Sequence, residues 1–241
     1  MGLTSDLRVL RSLLRGMPAA PTHAQRLDAF YAAQADDYDR FRERLLRGRA
    51  ELMASLPLTP GCVLVELGGG TGRNLDFLGE RIRDCAAVHL VDLCPSLLAR
   101  ARQRCTDRGW GHAVCHEADA STFTLAGGAD AVVMAYSLTM IPSWQAAVAN
   151  AMDLLRPGGH IAVVDFTVSH PTRRPGRAHH GPWTRWFWPR WFAHDGVHPD
   201  PRHLDVLRTH SEPIDLHEGR APVPWLPFAR VPFYRYLGRK A

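Results

Sequence analysis

Short apolar runs of strand length recur along the chain, separated by stretches in which apolar residues return every three or four positions. The first run occupies residues 63–67, contains Glu66 near its end and opens into a glycine-rich turn. Similar runs follow at 86–91, closed by Asp92, then near 112–117, at 129–136 and at about 160–165. Between them, residues 73–81, 96–107 and the stretch ending at Leu154 carry helical spacing. Runs this short read as buried strands and the longer periodic stretches as helices. Their alternation predicts an α/β fold with a doubly wound parallel sheet. Residues 25–56 read as helical too. Farther upstream, Leu3, Leu7, Leu10, Leu14 and Met17 share one helical face, with Arg8, Arg11 and Arg15 along its flank. The expected organisation is an amphipathic helix and linker over 1–24, then one domain over 25–241.

The turn after the first run carries the densest chemistry. Gly68, Gly70 and Gly72 alternate with other residues, and glycine lets a backbone turn sharply and approach a ligand closely. A helix start just beyond the turn presents unpaired N–H groups. Asp92 stands about 20 residues later at the end of the next strand, where an acid accepts from ribose hydroxyls. A dinucleotide site more often reads Gly-x-Gly-x-x-Gly; here Thr71 or Arg73 holds the last position.

Composition narrows the setting. The chain has 241 residues, 46% of them hydrophobic, and no apolar run of membrane-spanning length. The N-terminus lacks a sustained apolar segment and a small-residue cleavage site, so a cytoplasmic protein is expected. Cys62, Cys85, Cys94, Cys105 and Cys115 show no Cys-x-x-Cys spacing and read as reduced thiols. The net charge of +5 favours polyanions, either nucleic acid or an anionic membrane face.

One region stands apart, an aromatic and histidine-rich insertion around 170–201. Residues 183–192 pack six aromatics and two arginines into ten positions. Such a run suits a membrane interface, a lid over an apolar pocket, or stacking on bases. Together with the basic helix over 3–17 it would supply two anchors for a peripheral protein. His194, Asp195 and His198 follow. Gly196 and Pro199 argue for a turn there rather than a helical metal site, so no metal is expected.

The pattern Glu66-x-Gly68-x-Gly70-x-Gly72 with Asp92 resembles the nucleotide site of class I S-adenosylmethionine-dependent methyltransferases. The resemblance implies S-adenosyl-L-methionine as cofactor and a Rossmann-like, mostly parallel seven-stranded sheet. It places Glu66, Gly68, Gly70, Gly72 and Asp92 around the cofactor and Asp119 beside the adenine amino group. Tyr136 and Ser137, at the end of the fourth strand, would line the reaction centre. Helices ahead of the glycine strand would roof the cofactor, bringing Tyr31 and Tyr38 to cofactor or substrate. Methyltransferases of nucleic-acid amino groups usually carry an Asn-Pro-Pro-Tyr-like turn after the fourth strand. Its absence here argues against a nucleic-acid partner.

Four stretches are similar to a narrower family, the diacylglyceryl homoserine N-methyltransferases of betaine-lipid synthesis. They are residues 30–49 (Phe-Tyr-x-x-Gln-Ala-x-x-Tyr-Asp-x-Phe-Arg-x-x-Leu-Leu-x-Gly-Arg), 135–144, 191–198 and 230–239. That resemblance implies a lipid substrate whose amine is trimethylated, work at a membrane surface, and a separate aminocarboxypropyl transferase as partner. His194, Asp195, Tyr31, Tyr38 and Tyr136 are then candidates to orient the amine, and Arg42, Arg44 or Arg185 to meet the headgroup carboxylate. Quinone C-methylation and phosphatidylethanolamine N-methylation remain alternatives. A non-catalytic cofactor-binding or RNA-binding module is the alternative outside enzymes.

Overall fold

A computed structural model describes residues 17–32, 43–224, 226 and 228–241. The amphipathic stretch over 1–16, Tyr38 and Arg42 lie outside the described residues. The strands are β1 (Cys62–Leu67), β2 (Cys85–Asp92), β3 (Ala113–Glu117), β4 (Ala129–Ala135), β5 (Leu155–Phe166), β6 (Glu212–Pro222) and β7 (Arg230–Arg239). They form one seven-stranded sheet in the order β3-β2-β1-β4-β5-β7-β6. Strands β1 to β5 pair in parallel, whereas β7 runs antiparallel to both β5 and β6. The expected α/β, doubly wound, mostly parallel sheet is the one observed.

Successive residues of the central strands enter two different cores. Leu64, Val133 and Ala162 pack on one face, and Val65, Val132 and Ile161 on the other. A strand buried on both sides is apolar at nearly every position, which is why these segments read as continuous runs broken by Glu66 and Asp165 near their ends. Each fully buried leucine, valine or isoleucine among them contributes about 1.5–3 kcal/mol.

The described helices are α1 (His23–Ala32), α2 (Arg49–Ser55), α3 (Pro95–Asp107), α4 (Trp144–Leu154), α5 (Pro182–Ala193) and α6 (His203–His210). The helix expected after the glycines is instead a 3-10 stretch, Arg73–Asp84. It begins with the Leu75 N–H donating to the Gly72 carbonyl (3.2 Å), a tighter pairing than an α-helix makes. Gly79 then leaves helical geometry altogether (φ 58°, ψ −133°). Periodicity marked the apolar face correctly but does not distinguish these two helix types. The strand order reverses direction at β1, whose neighbours are β2 and β4. Ligands of such sheets bind in the crevice above the carboxyl ends of the strands at this point.

Candidate active site

A cavity opens at that crevice, walled by the turns after β1, β2 and β4 and roofed by α1. The glycines are needed for different reasons. A side chain at Gly68 would put its Cβ 2.3 Å from that of Ser137, so glycine lets the β1 and β4 turns close on each other. Ser137 completes that closure by donating its hydroxyl to the Leu67 carbonyl (2.9 Å). Gly70 (φ 53°) lines the cavity, and its Cβ would meet nothing nearer than Leu97 Cδ1 at 3.9 Å. Any side chain there would grow into ligand space. Gly72 packs beneath the turn against Leu90 and Ala101.

Asp92 holds this turn in place. Its Oδ2 accepts from the Gly70 N–H (2.8 Å) and its Oδ1 from the Cys94 N–H (2.9 Å). Burial pushes the carboxyl above its ordinary pKa, and the backbone N–H groups pull the other way. The carboxylate therefore shapes the backbone as well as facing the cavity.

Beneath the glycines sits a buried relay that begins at α2. Arg49 is 7% exposed and lines the cavity. It donates from Nη1 to Asn74 Oδ1 (3.2 Å), and Asn74 Nδ2 donates to Glu66 Oε1 (2.5 Å). Glu66 is fully buried, and its Oε2 has no hydrogen-bond partner among the described residues. Burial raises its pKa to about 7, against the opposing effects of the Asn74 bond and the Arg49 charge. An orphaned acceptor this deep is costly unless a donor arrives. An ammonium group beside Glu66 and a carboxylate near Arg49 would answer both needs. That is the charge pattern of the amino-acid end of S-adenosylmethionine, so the residues present fit this cofactor.

Across the cavity, Asp119 uses Oδ1 to accept from the Ser121 N–H (2.7 Å) and hydroxyl (2.6 Å). On α1, His23, Leu27 and Tyr31 recur every four residues and face the cavity. Asp28 docks this roof by accepting from the Ser96 N–H (3.1 Å) at the start of α3. Tyr31 donates its hydroxyl to the sulfur of Met140 (3.0 Å). Tyr136 has a positive φ of 55°, rare for a bulky residue, and its ring stands edge-on to Phe166 (4.7 Å). Its hydroxyl donates to the Arg47 carbonyl (2.7 Å), so the ring contributes an apolar wall rather than a free phenol. Asp165, fully buried, accepts from the Thr139 N–H (3.0 Å) and hydroxyl (2.6 Å) and so fixes the loop carrying Met140.

Tyr31, Gly68, Gly70, Asp92, Asp119, Tyr136 and Ser137 thus surround one cavity, with Glu66 and Gly72 directly beneath its turn. His194 and Asp195 are not brought there. They occupy a turn after α5, where the His194 carbonyl accepts from the Met17 N–H (3.0 Å). Neither residue lines the cavity, and the His194 side chain is exposed. Arg185 is likewise elsewhere, donating to the His180 carbonyl (2.9 Å). Arg49, Asn74, His23 and Met140 went unread as site residues. Only the position of Asn74, just past the glycines, offered a sequence signal. Among the described residues, no three of His, Cys, Asp and Glu gather as metal ligands.

The comparisons with known proteins agree with this site. A profile for methyltransferase domains matches residues 65–161. Trans-aconitate 2-methyltransferase of Methylobacterium radiotolerans is 31% identical over 149 residues, 61% of this chain and 55% of that protein. A ubiquinone/menaquinone biosynthesis C-methyltransferase of Shewanella halifaxensis is 29% identical over 110 residues, covering 45% and 44% respectively. The chain spans about half the length of these two curated relatives. The N-methyltransferase NodS from Bradyrhizobium japonicum, solved with S-adenosyl-L-homocysteine, shares the fold at a TM-score of 0.56 and 18% identity. That match covers 97% of this chain and 98% of the other. The glycine turn, the buried Glu66 relay and these matches agree: residues 65–161 match a methyltransferase domain, and the chain is similar to S-adenosylmethionine-dependent methyltransferases.

Proposed function

We propose that this protein transfers methyl groups to the amine of a diacylglyceryl homoserine lipid. The observation that carries the reading is the end of the cavity formed by Tyr31, Tyr136 and Met140. It offers aromatic faces and a polarisable sulfur, and among the described residues no acidic side chain lines it. Aromatic faces stabilise a cation, and each methylation brings the nitrogen closer to a permanent charge. The cofactor, when bound, supplies an electrophilic methyl on a sulfonium. The protein's part is to hold a neutral amine in line with it, and positioning accounts for much of the rate of such displacements.

Among the described residues no imidazole lines the Tyr31–Tyr136 end; His23 lies on the Asp119 side. The amine therefore loses its proton to water at the cavity mouth. In this reading the enzyme acts on the cytoplasmic face of a membrane, and a separate aminocarboxypropyl transferase makes the headgroup. No helix of the described residues is long and apolar enough to cross a membrane, so the lipid must be reached from its surface.

Quinone C-methylation is the second reading, favoured by the similarity to the Shewanella protein. Incorporation of radiolabelled methyl into diacylglyceryl homoserine, phosphatidylethanolamine, a demethylquinol, trans-aconitate and RNA separates the readings. The homoserine lipid should be labelled at least tenfold faster than any other acceptor, roughly 1.4 kcal/mol of discrimination. Faster labelling of any other acceptor would overturn the proposal.

A further inference from the structure

We infer that the exposed face of α5, with the β6–β7 turn at the same end of the sheet, is a docking surface for an anionic lipid bilayer. The lipid reading above gives this surface its purpose, but docking is measurable without any turnover. Helix α5 divides its aromatics cleanly. Trp188 and Phe192 are buried, 5% and 6% exposed, and Phe192 stacks on Phe166 (4.5 Å), the last residue of β5. Trp183, Trp186 and Trp191 face outward at 70%, 49% and 46% exposure. Phe187 bridges them, its ring 5.9 Å from Trp183 and 5.5 Å from Trp191. Arg190 lies over the Trp186 ring at 4.8 Å.

The position of this face is as telling as its composition. Phe166 contacts Tyr136 of the cavity wall, so the buried side of α5 is one ring away from the proposed reaction centre. Residue Phe166 pairs with Phe233, which sends the β6–β7 turn out beyond the carboxyl end of β5. The exposed Leu226 and the fully exposed Phe228 occupy that turn. Large apolar groups thus project at the same end of the sheet on which the cavity opens.

Charge selects the occupant. Residues 170–193 hold five arginines and no acidic residue; Asp205 and Glu218 pair with Arg174 and Arg177, which leaves Arg173, Arg185 and Arg190 as the positive charge of this segment. Tryptophan sits at headgroup depth in a bilayer, and guanidinium groups meet lipid phosphate. A second copy of this chain would instead bring arginine against arginine. The complementary surface is an anionic membrane.

Flotation of the full chain with vesicles tests this, using phosphatidylcholine alone and phosphatidylcholine mixed with phosphatidylglycerol. Binding should be stronger to the mixed vesicles and weaken with salt, since charge is screened over about 8 Å at physiological ionic strength. The variant Trp183→Ala/Trp186→Ala/Trp191→Ala should lose about tenfold or more in partitioning while keeping its affinity for S-adenosylmethionine. Trp183→Ala alone, the most exposed position, should lose part of it. Arg190→Glu should weaken binding to the mixed vesicles by about fivefold or more and leave phosphatidylcholine binding unchanged. Parent-like flotation of the triple variant, or no vesicle binding by the parent, would overturn the inference. So would a parent dimer that the triple variant converts to monomer. Docking that persists while diacylglyceryl homoserine stays unmethylated would overturn the proposed function and leave the docking surface standing.

Discussion

Replacing Gly70 by valine should abolish measurable binding of S-adenosylmethionine, and replacing Asp92 by alanine should weaken it on the order of a hundredfold. The two losses have different causes. At Gly70 the backbone is held at φ 53°, which a β-branched residue adopts only under strain, and the new methyl groups would fill cavity space. At Asp92 the alanine removes the acceptor for the Gly70 and Cys94 N–H groups, so the turn itself relaxes. Asp92→Asn separates shape from charge. It keeps one amide oxygen to hold the turn and should lose only about tenfold. Calorimetric titration of the folded variants checks all three. Unchanged affinity in both Gly70→Val and Asp92→Ala would remove the cofactor site from this turn.

A second large effect is expected in the pH dependence of cofactor affinity. Glu66 titrates near 7 in the fold against 4.5 for an ordinary glutamate, because it is buried. An acid raised in this way keeps its proton in the folded chain while the unfolded chain has already ionised. Stability of the ligand-free protein therefore falls between about pH 4.5 and 7, by on the order of 3 kcal/mol from Glu66 alone. Asp165, raised to about 7 by burial, acts in the same sense. An ammonium bound beside Glu66 favours the ionised carboxylate, so affinity should rise with pH toward 7. At about pH 6 only a tenth of Glu66 is ionised, and affinity should lie about tenfold below its plateau. Glu66→Gln should flatten this profile. Arg49→Gln keeps a donor for Asn74 but removes the charge that lowers the Glu66 pKa, so the rise should move to higher pH. Identical profiles for the parent and Glu66→Gln would show that Glu66 does not meet the ligand.

The central strands β1, β4 and β5 were legible because they are buried on both faces, whereas β6, exposed along most of its length, and β7 were not read as strands; the acid and glycines could be placed because they are adjacent in sequence. Arg49 was not, since its partners Asn74 and Glu66 belong to other elements and meet it only through tertiary packing. The aromatic helix could be recognised as unusual but not oriented. With aromatics on every side, periodicity gave no direction; stacking of Phe192 on Phe166 decides which tryptophans face outward. The same packing puts the His194–Asp195 turn at the end of α5, outside the cavity lining. The expectation for those two residues rested on residue type, and type does not specify where a turn lands. Tyr136 was found through its strand end, yet its hydroxyl is committed to the Arg47 carbonyl, a contact between residues 89 positions apart.

The proposed methyl transfer to the nitrogen of a lipid-borne amino acid leaves products whose added methyl groups can be located. Purified protein, S-adenosylmethionine and diacylglyceryl homoserine in mixed vesicles would be incubated together. The lipids would then be fragmented by mass spectrometry to locate each added methyl. Successive mono-, di- and trimethylated headgroups are expected, with every methyl on nitrogen and one S-adenosylhomocysteine released per transfer. Methyl found on the carboxylate or on carbon would contradict it, as would an unmodified lipid recovered from protein that binds the cofactor.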